Sequence, residues 1–198
     1  MNLHRLLQAR AEAERPVRVG LIGAGKFGSM FLSQALRTTG MHVLAIADLD
    51  VDRAKENLAT LHWPRHRYEA TSAAKALAEG TTWVTDDADA IINAGGMDVV
   101  IEATGDPDVG TRHALAAIER GRHIVMVNVE ADVLAGPLLA ARAKAANVVY
   151  SLAYGDQPAL ICEMVDWART SGLDVVAAGK GTLYMPAFHA STPDTIWD

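Results

Sequence analysis

The 198-residue sequence predicts an α/β fold: a mostly parallel, doubly wound sheet with helices on both faces. Three observations carry this. Short, continuous apolar runs recur along the chain, as strands show when both of their faces are buried. Between them lie segments with apolar residues at helical spacing. A glycine-rich turn, "GAGKFG" at 23–28, joins the first run to the first of those segments. Half of the residues are hydrophobic and 21% are charged, a balance that supplies a sizeable core.

The elements follow in order. Residues 1–16, "MNLHRLLQARAEAERP", place Leu3, Leu6 and Leu7 on one face of a short helix ended by Pro16, without the apolar stretch and cleavage site of a signal peptide. "VRVGLI" is the first buried strand. Phe27, Met30, Phe31 and Ala35 then keep helical spacing until Gly40. "HVLAIADLD" reads as a second strand ending in Asp48, and "DRAKENLATL" as a helix. From 62 to 71 the pattern breaks around Pro64, which predicts an excursion over the surface. "SAAKALAEG" and "DADAIINA" are short helices around a brief strand near Trp83. "MDVVIEATGDP" is a third clear strand closed by a glycine and proline turn, followed by the helix "VGTRHALAAIERG" and the strand "HIVMVN". A helix over 132–146, interrupted at Gly136 and Pro137, leads to the strand "VVYSLAY", a helix after Pro158 and a strand "LDVVAAG". Such alternation requires parallel pairing.

Composition narrows the partners. A net charge of −6 argues against nucleic acid or an anionic membrane. No apolar run approaches the roughly 20 residues of a membrane span. The single cysteine, Cys162, excludes an internal disulfide and fits a reducing cytoplasm; its apolar neighbours on a helix predict a buried, inert thiol.

The glycine turn has the context of a dinucleotide-binding fingerprint, because it follows a buried strand and opens a helix. Gly23 permits the tight turn, Gly25 lets the backbone approach a pyrophosphate, and Gly28 lets helix and strand pack closely. Lys26 and Phe27 lie within the same loop, where the free N–H groups of the helix start hold phosphates. Asp48 ends the second strand, twenty residues after Gly28, where a carboxylate bonds the ribose hydroxyls of a bound nucleotide. Asp48 favours NAD over NADP, while Arg53 offers a 2′-phosphate a partner. Thr104 and Gly105 at the end of the third strand and Asn128 beyond the next one belong to the same rim, as cofactor contacts or as simple turn residues. The fold expectation is therefore a Rossmann-type sheet: an N-terminal helix at 1–16, a dinucleotide-binding domain at 17–155, and the start of a second, α+β substrate domain at 156–198.

The segments "VGLIGAGKFG", "VVIEATGDP", "GRHIVMVNVEADVLAGPLL", "YGDQPALICEMVDWA" and "GKGTLYMPAFHASTPDT" resemble the homoserine dehydrogenase-like oxidoreductases. They are most similar to its atypical deoxyxylulose-phosphate reductoisomerase branch. The resemblance runs from about Val17 to the end and is most specific in "VNVEADVLAG" and from "GDQP" to "GKGT". It implies an NAD(P)-dependent oxidoreductase that transfers a hydride between nicotinamide and a small polar hydroxy or oxo substrate. Val129 stands where homoserine dehydrogenases carry a lysine, and Lys180-Gly181-Thr182 replaces their asparagine-glycine-threonine turn. Relatives of this branch run well beyond this length, so the chain is expected to be C-terminally truncated within its substrate domain.

Lys180 is the first catalytic candidate, to polarise a carbonyl or hold a substrate phosphate; the other reading is a solvated turn lysine. Asp156 is the second catalytic candidate or the cap of the following helix, and Tyr154 packs on nicotinamide or on the protein. Glu130 meets a ribose or begins a helix. His62 and His66 have the spacing of a metal pair but flank Pro64, which predicts a surface loop. His113 reads as solvated or partly buried, and His189 lies in the C-terminal segment. No cluster has the density of a metal site. Incomplete burial of a second sheet points to homo-oligomerisation. The competing reading is a dinucleotide-binding regulatory or redox-sensing module without catalysis.

Overall fold

A computed structural model describes residues 2–153, 157–179 and 186. The chain divides into two units, Met1–Ala153 and Tyr154–Asp198. In the first, β1 (Val17–Ile22), β2 (Met41–Ala47), β3 (Trp83–Thr85), β4 (Val99–Glu102), β5 (His123–Met126) and β6 (Tyr150–Leu152) form one sheet. Its order is β3-β2-β1-β4-β5-β6, with every pair parallel. The chain winds outward from β1 to β3, returns to the middle, and winds the other way from β4 to β6. The carboxyl ends of β1 and β4 are therefore where a crevice must open.

The strands are mostly apolar because both faces are covered. Leu21, Val43 and Ile101 point to one side, packing with Leu32 of α2 (Lys26–Ala35) and Leu58 of α3 (Val51–Thr60). Their neighbours Ile22, Leu44 and Val100 point to the other, packing with Ile91 of α5 (Ala88–Asn93), Ile118 of α6 (Pro107–Glu119) and Leu139 of α7 (Val129–Ala145). Helix starts follow capping chemistry: Asp50, Asp87 and Asp106 each accept a backbone N–H from the first turn of α3, α5 and α6.

Several expectations are corrected. The N-terminal helix α1 (Leu3–Glu12) stops before Pro16, and Glu14 turns the chain with a φ of 53°. The 62–71 segment does run through a short 3₁₀ turn at Arg65–Arg67, but it is anchored from below: Trp63 and Tyr68 are buried, and Trp63 Nε1 donates to the Leu32 carbonyl at 3.1 Å. The α4 helix (Ala73–Glu79) then returns the chain to the sheet. The expected break at Gly136-Pro137 is absent, and α7 begins earlier because Asn128 caps it. Proline removes the N–H that would bond the Val133 carbonyl and crowds that carbonyl with its ring; Val133 is 85% exposed, so the carbonyl can tilt outward and bond water instead.

In the second unit, α8 spans Gln157–Thr170. Residues 173–179 form no strand; a strand needs a neighbour, and none of the described residues pairs with them. Cys162 is exposed rather than buried, as are Met164 and Trp167 on the same helix: apolar sequence neighbours do not by themselves bury a side chain. Among the described residues no helix is long and apolar enough to cross a membrane.

Two outcomes follow. Trp63→Phe should lower unfolding free energy by about 1–3 kcal/mol in urea titrations, because a buried carbonyl loses its donor. His42 Nε2 donates to the Thr81 carbonyl at 2.6 Å, and burial, opposed by that bond and helped by Arg18 and Arg67, holds its pKa below the ordinary 6.5. The unfolded chain therefore binds the proton first. His42 contributes its stability above pH 6.5 and loses it as pH falls below that value. His42→Gln should reduce the drop in urea midpoint between about pH 7 and about pH 5.

Candidate cofactor site

The crevice at the β1/β4 switch is a cleft of about 730 Å³. Its floor is made of backbone. Gly23 leaves β1 with a φ of +97°, and its N–H donates to the Ala47 carbonyl at 2.8 Å. A Cβ on Gly23 would stand 2.5 Å from the Ala103 carbonyl oxygen, so the loop after β1 touches the end of β4 backbone to backbone. A Cβ on Gly28, one turn into α2, would collide with the Gly23 carbonyl. Gly25 is different: a Cβ there meets nothing within 4 Å, because it faces the open cleft. Gly25 is also the N-cap of α2 and supplies no side-chain cap. The first-turn N–H groups of Lys26, Phe27 and Gly28 consequently have no intrahelical acceptor and the positive end of the helix dipole beside them.

Asp48 closes the cleft from the β2 side. It is buried, and each oxygen is engaged. Oδ2 accepts from Ala24 N at 2.8 Å; Oδ1 accepts from Asp50 N at 3.0 Å and from Arg53 Nη2 at 2.8 Å. The carboxylate thus holds the glycine loop with one oxygen and a half-exposed guanidinium with the other. Asp86 and Asp87, after β3, line the same end, and Leu49 is 95% exposed beside them.

Of the residues singled out in the sequence, Gly23, Gly25, Asp48, Arg53, Thr104 and His113 line the cleft. Lys26 and Phe27 are exposed at the start of α2, and Gly28 is buried under it. Gly105 turns the chain with a φ of +79°. Asn128 is buried and points inward: its Oδ1 accepts from Ala131 N, and its Nδ2 donates to Thr104 Oγ1 at 3.2 Å and to the Asp106 carbonyl at 2.7 Å. Glu130 lies in the first turn of α7. His62 and His66 are both exposed. His113 is buried, not solvated, because α6 lays it over the end of β4, 3.4 Å from Glu102. Tyr154, Asp156, Lys180 and His189 lie outside the described residues.

Sequence reasoning missed Glu102 and the Asp86–Asp87 pair. The signal for Glu102 was present: one acid closing an otherwise apolar strand, "VVIE".

The model of the homoserine dehydrogenase NAD-binding domain matches residues 19–152, well over half of the chain. The chain belongs to that family. The model of the oxidoreductase DRL catalytic domain matches residues 155–198. A homoserine dehydrogenase of Methylobacillus glycogenes is 31% identical over 114 residues, which is 58% of this chain and 25% of that protein. The chain thus spans about a quarter of the curated relative it matches. Among solved structures, a homoserine dehydrogenase from Thiobacillus denitrificans superposes with a TM-score of 0.56 at 20% identity, covering 69% of this chain and 29% of that one. An NAD binding oxidoreductase from Klebsiella pneumoniae gives 0.54 at 21% identity, over 79% and 39%. At these identities the structural likeness establishes the fold.

The two glycines are expected to separate in stability measurements. Gly23→Ala must adopt a left-handed φ and displace the Ala103 carbonyl, costing about 1–3 kcal/mol or more. Gly25→Ala, with a φ of −70° and open space ahead, should change stability by less than about 1 kcal/mol. Paired urea melts of the two variants check this.

Proposed function

We propose that the chain is the cofactor-binding part of an NAD(P)-dependent oxidoreductase acting on the CH–OH group of a small polar substrate, in the manner of homoserine dehydrogenase or of the atypical reductoisomerases. The observation that carries this reading is Gly25. A cradle built of uncapped helix N–H groups, with the one forward-facing glycine opposite empty space, fits a pyrophosphate and leaves no other evident use for the missing side chain. When bound, the nicotinamide supplies a hydride donor or acceptor. The residues of this chain supply the rest. The loop 23–28 binds the diphosphate. Asp48 and Arg53 set the ribose end, and Thr104 lines the opposite wall beside β4, with Gly105 turning the chain next to it. Lys180 and Asp156 remain the proposed catalytic groups, Lys180 to polarise the substrate carbonyl.

For cofactor choice we favour NAD. Arg53 is already neutralised by Asp48, and Asp86 and Asp87 add negative charge at the same end of the cleft, which disfavours a further phosphate. Titration of NADH and NADPH should show tighter NADH binding. Asp48→Ala should weaken NADH by about tenfold or more and narrow the difference from NADPH by freeing Arg53. Gly25→Val should abolish binding of both while the chain stays folded. Tighter NADPH binding that Arg53→Ala removes would reverse the assignment. Failure of both cofactors to bind a cooperatively folded chain would overturn the reading. Within it, formation of methylerythritol phosphate from deoxyxylulose phosphate or oxidation of homoserine distinguishes the two activities.

A further inference from the structure

Behind the β4 wall of the cleft, polar side chains from separate elements converge in the core. Glu102 ends β4 and is completely buried. Its Oε1 accepts from Thr104 Oγ1 at 2.6 Å and from Thr104 N at 3.4 Å, and lies 3.4 Å from His113 Nδ1 of α6. Its Oε2 has no hydrogen-bond partner among the described residues. Asn128, the cap of α7, donates to Thr104 Oγ1 and to the Asp106 carbonyl, while Asp106 N approaches Thr104 Oγ1 at 3.4 Å. The elements come this close because Gly110 of α6 has no side chain. A Cβ there would collide with Asn128 Nδ2 and stand 3.0 Å from Glu102 Oε2.

A carboxylate with one oxygen unbonded is costly to bury, and a methionine at the end of an apolar strand would cost far less. The position of the acid gives it a role. A threonine hydroxyl has one proton and two lone pairs. Glu102 accepts the hydrogen bond from that hydroxyl, so the lone pairs face Asn128 Nδ2 and Asp106 N, and the hydroxyl has a single orientation. That fixes the loop at Thr104 and Gly105. The residue before it, Ala103, presents the carbonyl against which Gly23 closes. One buried acid therefore stands behind the β4 wall and next to the carbonyl against which the glycine loop closes.

We propose that Glu102 is a positioning residue of the dinucleotide site, holding the Thr104–Gly105 loop through the Thr104 hydroxyl, with Asn128 and His113 as its supports. The inference rests on the cofactor reading given above. It predicts a particular pattern in cofactor dissociation constants and in amide hydrogen exchange at Thr104 and Asp106.

Glu102→Met removes the acceptor and should weaken NADH binding by about tenfold or more. The same change should speed exchange at both amides in the ligand-free chain. Glu102→Gln retains an acceptor oxygen and should stay within about threefold of wild type. Thr104→Val, a change at the cleft wall that avoids disturbing the core, should reproduce the loss, and adding it to Glu102→Met should cost little more, because the two share one interaction. A Glu102→Met chain that melts lower but binds and exchanges as wild type does would make the acid merely structural and overturn the proposal. So would additive losses in the double variant, or unchanged binding by Thr104→Val if Glu102→Met does not fold. A wild-type chain that binds neither cofactor overturns the cofactor reading and this inference together; wild-type binding indifferent to all three changes overturns this inference alone.

Discussion

The contact between the loop leaving β1 and the end of β4 is made by backbone alone, and the rest of the site is arranged around it. Gly23 can approach the Ala103 carbonyl only because it has no side chain and tolerates a φ of +97°. With the loop pressed there, α2 must begin close to β1, which Gly28 permits by leaving space for the Gly23 carbonyl. The Ala24 N–H then points away from the sheet and is met by Asp48 from β2. Adjacent parallel strands thus meet at one corner, each contributing an end, and the cleft floor is lined with peptide groups instead of side chains.

Charge is distributed in accordance with that floor. The uncapped start of α2 is electropositive and faces the cleft. Acids stand at its borders. Asp48 is neutralised by Arg53, and Glu102 lies beneath Thr104 with His113 as its titratable neighbour. A second, half-buried polar contact lies further out, where Tyr150 of the edge strand donates to Asp132 of α7 at 2.7 Å. Burial first, and then that carboxylate, push the phenol far above its ordinary range. The bonds from Asn128 to Thr104 and from Tyr150 to Asp132 tie α7 to the sheet, one just beyond β4 and the other at β6, which suits a helix that carries Gly136 and Pro137 in its middle.

Much of the fold was legible because local chemistry and tertiary role coincide. The apolar runs of β1, β2 and β4 are strands buried on both faces, and Asp50, Asp87 and Asp106 are both turn residues and caps. The glycine spacing was legible in part for the same reason, since Gly28 makes room for the Gly23 carbonyl within one loop. Trp63 was not legible: its partner, the Leu32 carbonyl, lies 31 positions away on another element. Nor was the survival of α7 through Pro137, which depends on which side of the helix meets water.

The sequence by itself determined the strand and helix alternation, the glycine loop and the acid that faces it, because those features arise from periodicity and short-range sterics. Tertiary structure decided what each polar group touches. It turned Asn128 inward as a brace for Thr104, buried His113 against Glu102, divided Asp48 between Ala24 and Arg53, and left Cys162 exposed. A hydrogen bond requires donor–acceptor distances held to within a few tenths of an ångström, and only the packed sheet brings these residues, far apart in the chain, to one place.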